Sequence, residues 1–240
     1  MNQTLTIAKR ELMSLLYSPV GYVVTGLFAL VAAMVFFLSF DSGMEATLRP
    51  TLAFMVWTLI FLAPAISMRL ISDEFRSGTI EVLMTTPLSD TQVVIGKWLG
   101  AFAFFAVLIA VTLVVLLGIL IYSSDPDWGP IVTQILGMLL VGGLYLAIGT
   151  AASAATQNQI IAFLLTVFIV GLLTLGVGIV AQASFVTPWM RSGLFYLGIN
   201  KQFEEFNKGV IDTSSLIYFI TGIAMFLFIA VKLLESKRWR

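Results

Sequence analysis

The sequence predicts an all-α membrane protein: six transmembrane helices, an N-terminal amphipathic helix lying in the membrane interface, and a re-entrant segment on the outer side. Three observations carry this. The 240 residues are 59% hydrophobic, and the mean hydropathy is +1.02. Only 11% are charged, where soluble domains hold about 25%. The 13 basic and 13 acidic side chains are also absent from six long apolar stretches. A soluble chain of this length could not bury so much apolar surface, because much of any domain's surface stays exposed. A net charge of zero gives no basis for a nucleic-acid partner.

The six stretches are residues 20–40, 51–68, 98–122, 131–155, 160–181 and 215–231. Each approaches or exceeds the roughly 20 apolar residues that cross a hydrocarbon core of about 30 Å. Together they form one transmembrane domain spanning residues 1–240, with no hydrophilic stretch long enough for a second. The first span begins too far into the chain, and runs too long, to read as a cleaved signal peptide. Small residues recur at four-residue spacing, as at Gly96/Gly100 and Ala151/Ala155, where membrane helices can approach closely.

Six spans put both termini on one side. With that side cytoplasmic, nine basic residues lie inside and four outside, and the positive-inside rule favours this orientation. The zero net charge then divides. Six acidic residues fall inside and seven outside, leaving the inner side positive and the outer side negative. The expected location is the plasma (cytoplasmic or inner) membrane, with both termini cytoplasmic.

Three segments are not plain spans. In residues 2–17, Leu5, Ala8, Leu12, Leu15 and Leu16 share a helical stripe, with Lys9, Arg10 and Glu11 mostly opposite and Ile7 the exception. This predicts an interfacial helix that ends before Pro19.

The second segment, residues 68–92, is charged and cytoplasmic. Gly78 can cap a short helix with Glu81 in its first turn, near the positive end of the helix dipole. Ile80, Leu83 and Met84 then share one face until Pro87 stops the helix. Ser89 and Gln92 form a capping box, with Leu88 and Val93 as its hydrophobic staple, and start a helix that runs through Lys97 into the third span. An apolar face on such a loop must dock against the interface, its own protein or a partner.

The third segment, residues 182–214, is too apolar for a free outer loop and predicts a short helix dipping back into the outer leaflet. Within it Lys201, Glu204, Glu205 and Lys208 form a polar stretch in which Glu204 and Lys208 are helix neighbours.

The chemistry available is narrow. The chain has no cysteine and no histidine, which removes thiolate nucleophiles, zinc–thiolate sites and the commonest general base. Asp73 and Glu74 are adjacent, so on a helix they point about 100° apart and make a poor acid–base pair. Uncharged spans argue against ion-coupled transport. No Gly-x-x-x-x-Gly-Lys-[Ser/Thr] string occurs, so ATP-driven work would need a separate ATPase polypeptide. No catalytic residue, metal site or cofactor is expected in the chain. Pro64 lies in the second span just ahead of the cytoplasmic loop, where a lost backbone hydrogen bond permits either a static kink or a pivot.

The run Glu74-Phe-Arg-Ser-Gly78-Thr79-Ile80-Glu81-Val-Leu83-Met84-Thr-Thr-Pro87-Leu88-Ser89, followed by Gly96-Lys97, sits between spans two and three. With an interfacial helix before it and four further spans and a basic tail after it, the chain resembles the type-2 ABC exporter permease family along essentially its whole length. Residues 74–89 and 233–240 look most like the gliding-motility-associated subgroup. The resemblance implies a transport subunit, not an enzyme, that forms a homodimer or heterodimer with a second permease and pairs with ABC ATPase subunits holding ATP and Mg. It implies that Gly78, Thr79, Ile80, Glu81, Leu83, Met84 and Pro87 couple to the ATPase. It also implies that the stretch with Phe185, Trp189, Met190 and Phe195 closes the outer side. The alternative from the residues alone is a non-transporting membrane scaffold that anchors a cytoplasmic partner.

Overall fold

The computed structural model describes residues 3–39, 48–78, 88–123, 128–183 and 186–238, and they contain no strand. In chain order the helices are α1 (Gln3–Leu16), α2 (Pro19–Ser39), α3 (Arg49–Ser67), α4 (Ser72–Arg76), α5 (Asp90–Ser123), α6 (Trp128–Ala155), α7 (Gln159–Gly171), α8 (Val177–Ala181), α9 (Pro188–Leu197), α10 (Ile199–Asn207) and α11 (Thr213–Arg238). A π-helical turn, Leu172–Gly176, joins α7 to α8 without a break. Among the described residues, six helical stretches are long and apolar enough to cross a membrane: Pro19–Ser39, Arg49–Arg76, Asp90–Gly118, Trp128–Ala155, Gln159–Ala181 and Thr213–Lys237. Each overlaps one of the six predicted spans.

The bundle is built around α6, against which α3, α5, α7, α10 and α11 all pack. Lipid tails are as apolar as a core, so membrane helices associate through close packing, and α6 supplies it with glycines. A Cβ on Gly149 would stand 1.8 Å from Ser67 Oγ of α3, and one on Gly142 would stand 2.0 Å from the Phe105 ring of α5. A Cβ on Gly137 would reach Phe206 of α10 at 2.8 Å. The helix is thereby buried continuously from Val141 to Ala154. By contrast α2, α7 and α11 expose apolar ribbons such as Leu27, Leu30 and Met34 on α2.

The Gly96/Gly100 pair marks the crossing of α1 over the start of α5. Cβ atoms there would lie 2.9 Å from the Ile7 Cβ and 2.6 Å from the Glu11 Cβ. Helix α1 runs Gln3–Leu16, and Ala8, Leu12, Leu15 and Leu16 of the predicted stripe turn toward the protein. Leu5 departs from that stripe, being 60% exposed, and Ile7 and Glu11 turn inward beside it. The close approach permitted by the two glycines, and the pairing of Glu11 with Lys97 of α5, choose the face. Periodicity within α1 contains neither fact.

The capping box is formed as predicted. The Ser89 N–H donates to Gln92 Oε1 (3.1 Å) and the Gln92 N–H donates to Ser89 Oγ (3.2 Å). From that start α5 runs 34 residues, about 51 Å at 1.5 Å per residue, well beyond a hydrocarbon core of about 30 Å. In place of one short helix, the described part of residues 182–214 holds two, α9 and α10, divided at Gly198.

Candidate functional site

The chain leaves α3 at Ser67 and turns through Met68–Ile71 into the five-residue α4. A helix this short leaves most of its backbone groups without intrahelical partners, and α4 has no side-chain cap of its own. Ser153 of α6 supplies one from across the bundle. Its Oγ accepts the N–H groups of Ile71 (3.0 Å) and Ser72 (2.9 Å) and donates to the Met68 carbonyl (3.0 Å). Ser153 is fully buried, so the turn is fixed to the central helix.

Three successive residues of α4 then reach three different directions. The Asp73 carboxylate accepts from the Gln159 amide at the start of α7. Glu74 Oε1 lies 2.8 Å from Lys97 Nζ on α5 and 3.6 Å from Arg10 on α1. Lys97 also pairs with Glu11 of α1 at 3.4 Å and is only 3% exposed. A buried ammonium is tolerable only when it is paired, and two carboxylates meet this one. The ring of Phe75 lies under the Lys237 ammonium of α11, 4.1 Å from its centroid, within cation–π range. Beside these, Arg69 donates to Ser18 Oγ in the α1–α2 turn (3.1 Å). One short helix therefore ties α1, α5, α6, α7 and α11 together at one end of the bundle.

Immediately after α4, Gly78 has φ +71° with nothing within 4 Å of where a Cβ would stand. Its need for glycine comes from the backbone angle, not from crowding. Thr79, Ile80, Glu81, Leu83, Met84 and Pro87 lie outside the described residues. In the chain they follow α4 and Gly78 and precede the capping box of Ser89 and Gln92. Pro64 is buried within α3, one turn before that helix ends, and its carbonyl accepts the Met68 N–H (2.8 Å).

The opposite end carries a cavity of about 570 Å³ between α3, the π-helical turn and α10. Val56, Trp57, Phe195 and Phe203 line it with Thr174, Asn200, Lys201 and Glu204. The wide turn is a common feature of functional sites in helices. Here the Asn200 amide captures the Thr174 carbonyl (2.9 Å), while Thr174 Oγ1 meets the Tyr145 hydroxyl of α6 (2.8 Å). Phe203 and Phe206 bury the apolar face of α10, and Thr133 Oγ1 donates to the Phe206 carbonyl (2.9 Å). The polar face holds Lys208 at 3.3 Å from Glu204 and 3.1 Å from Glu205. Hydrogen bonds from Lys208 to Glu205 and Glu204 hold its pKa above the ordinary lysine value. Of the predicted outer residues, Phe195 lines the cavity, whereas Trp189 (74% exposed) and Met190 face outward from α9. Phe185 lies outside the described residues.

These two ends sit within a chain whose residues 5–235 match a family model described as ABC-2 family transporter protein. The chain belongs to the ABC-2 transporter family. No curated protein matches it. ABC-2 permeases are membrane transport subunits that generally pair with an ABC ATPase. In this ABC-2 protein the family-like string begins at Glu74, and the structure gives that residue a physical partner, Lys97, which closes the same stretch of sequence. Ser153 was not foreseen from sequence, since a serine in a small-residue helix carries no local sign of what lies across from it. Lys97 had a readable sign: a lone cation between Gly96 and Gly100, at the base of an otherwise apolar helix.

Proposed function

We propose that the chain is the permease subunit of an ABC exporter, moving substrate out of the cytoplasm with ATP hydrolysed by a separate nucleotide-binding subunit. The α4 junction carries this reading. Residues 79–87 follow α4 in the chain and precede the capped start of α5, and α4 is tied to five other helices. Force applied by a partner to Gly78, Thr79, Ile80, Glu81, Leu83, Met84 or Pro87 would pass at once to α1, α5, α6, α7 and α11. ATP and Mg belong to the ATPase.

On this reading the α4 end is cytoplasmic and lies at the plasma membrane. The exposed Leu5, Met13 and Tyr17 of α1 support a helix resting in the inner interface. Pro64 serves as the pivot through which α3 follows the loop. Phe185, Trp189, Met190 and Phe195 close the outer end, and the dipping segment is α9 with α10. A second permease, identical or related, completes the transport path. The wording of residues 74–89 and 233–240 supports the gliding-motility-associated subgroup.

Co-expression with ABC ATPases, beginning with any encoded beside this chain, tests the reading. The expected result is a detergent-stable complex that is lost when Glu81→Ala and Leu83→Ala are combined, with helix content unchanged. Persistence of the complex in that variant would refute the assigned contact. A bound ATPase that drives no transport in vesicles would favour a scaffold.

A further inference from the structure

The α4 end also carries a groove of about 930 Å³, bounded by α4, the α6–α7 turn and the last turn of α11. Two cations stand in its wall, Arg76 and Lys237, beside Gln157 and Asn158. Arg76 meets no carboxylate among the described residues, and Lys237 has only the Phe75 ring beneath it. The nearby carboxylates are already engaged: Asp73 with Gln159, Glu74 with Lys97 and Arg10, and Glu235 with Lys232. Asn158 Oδ1 accepts the Ile160 N–H (2.9 Å) and opens α7, so the positive end of that helix faces the groove as well.

The groove continues into an apolar strip. From its rim Ile160, Leu164 and Phe168 run along α7 at four-residue spacing, 69%, 59% and 70% exposed. A cationic polar recess at the end of a spanning helix, opening onto an outward apolar ribbon, matches a molecule with an anionic head and hydrocarbon tails. Basic recesses between membrane helices at this depth bind phosphorylated head groups.

We propose that this groove is a binding site for an anionic phospholipid, with Arg76 and Lys237 on its phosphate and an acyl chain along Ile160, Leu164 and Phe168. The shared chemistry is a phosphate anion, and the apolar strip selects the lipid over free phosphate. The site requires that the chain be embedded in a membrane, not that it work as an exporter, so it stands or falls separately from the coupling reading.

Purified, delipidated full-length protein titrated with phosphatidylglycerol or phosphatidylcholine, and read by native mass spectrometry, tests the site. Phosphatidylglycerol should bind in preference to phosphatidylcholine and resist displacement by millimolar inorganic phosphate. Combining Arg76→Gln with Lys237→Gln should weaken it about 25-fold, about fivefold for each cation. Lys232→Gln, which removes a cation already paired with Glu235, should leave it unchanged. Should the double variant lose its fold, Arg76→Gln alone removes an exposed side chain and should still cost about fivefold. Equal binding of the two lipids, or full affinity in the variants, overturns the proposal. Displacement by phosphate assigns the groove to the free anion and overturns the lipid.

Discussion

Lys97 is the residue on which the α4 end turns. It is buried against Glu74 and Glu11, and removing one partner of a buried ion pair leaves the others uncompensated, at a cost of about 3–5 kcal/mol. Lys97→Met should therefore lower stability by about that amount in chemical unfolding of the solubilised protein. Adding Glu74→Gln should recover part of the loss, because it removes one stranded carboxylate; a purely additive pair would contradict the coupling. Ser153 is the second such residue. Ser153→Ala leaves two buried N–H groups without an acceptor, and a loss of about 1–3 kcal/mol is expected in the same assay. The role of Ser153 is not legible locally, since it lies 82 positions from its farther N–H partner, Ile71.

Close helix approach is the theme at the scale of elements. Gly149 and Gly96 sit where a Cβ would strike Ser67 and Ile7, whereas Gly26 and Gly118 have nothing within 4 Å. Gly149→Leu should separate α3 from α6 and unfold the bundle at markedly lower temperature. Gly26→Ala should be neutral or stabilising by about 0.5–1 kcal/mol, since it only removes backbone freedom. Equal effects at the two positions would mean that glycine content, and not crossing geometry, sets stability. The same contrast explains what was readable in advance. The capping box needs four consecutive residues and was legible in full. The inward stripe of α1 was legible in Ala8, Leu12, Leu15 and Leu16, but the inward turn of Ile7 and Glu11 was not, because Gly96, Gly100 and Lys97 of another helix decide it. Residues 182–214 were legible as helical, but not the extended break at Gly198 that divides α9 from α10, nor the packing of Phe203 and Phe206 at Gly137, a contact between distant parts of the chain.

For the whole molecule, the long apolar runs were enough to place all six spanning helices, because hydrocarbon leaves a backbone few alternatives to helix. The family match over residues 5–235 and the α4 junction support the proposal of a membrane subunit whose α4 end receives work from outside the chain. The two ends of the bundle are linked through α6, which binds the α3–α4 turn through Ser153 and the π-helical turn through Tyr145. Motion at one end therefore has a packed route to the cavity at the other. The most direct test is ATP hydrolysis by the co-purified ATPase in vesicles, with and without this chain and with Gly78→Pro. Proline cannot adopt the positive φ at Gly78, so the account predicts that the ATPase stays bound while its ATP hydrolysis no longer drives transport. Wild-type transport in the Gly78→Pro vesicles would contradict it.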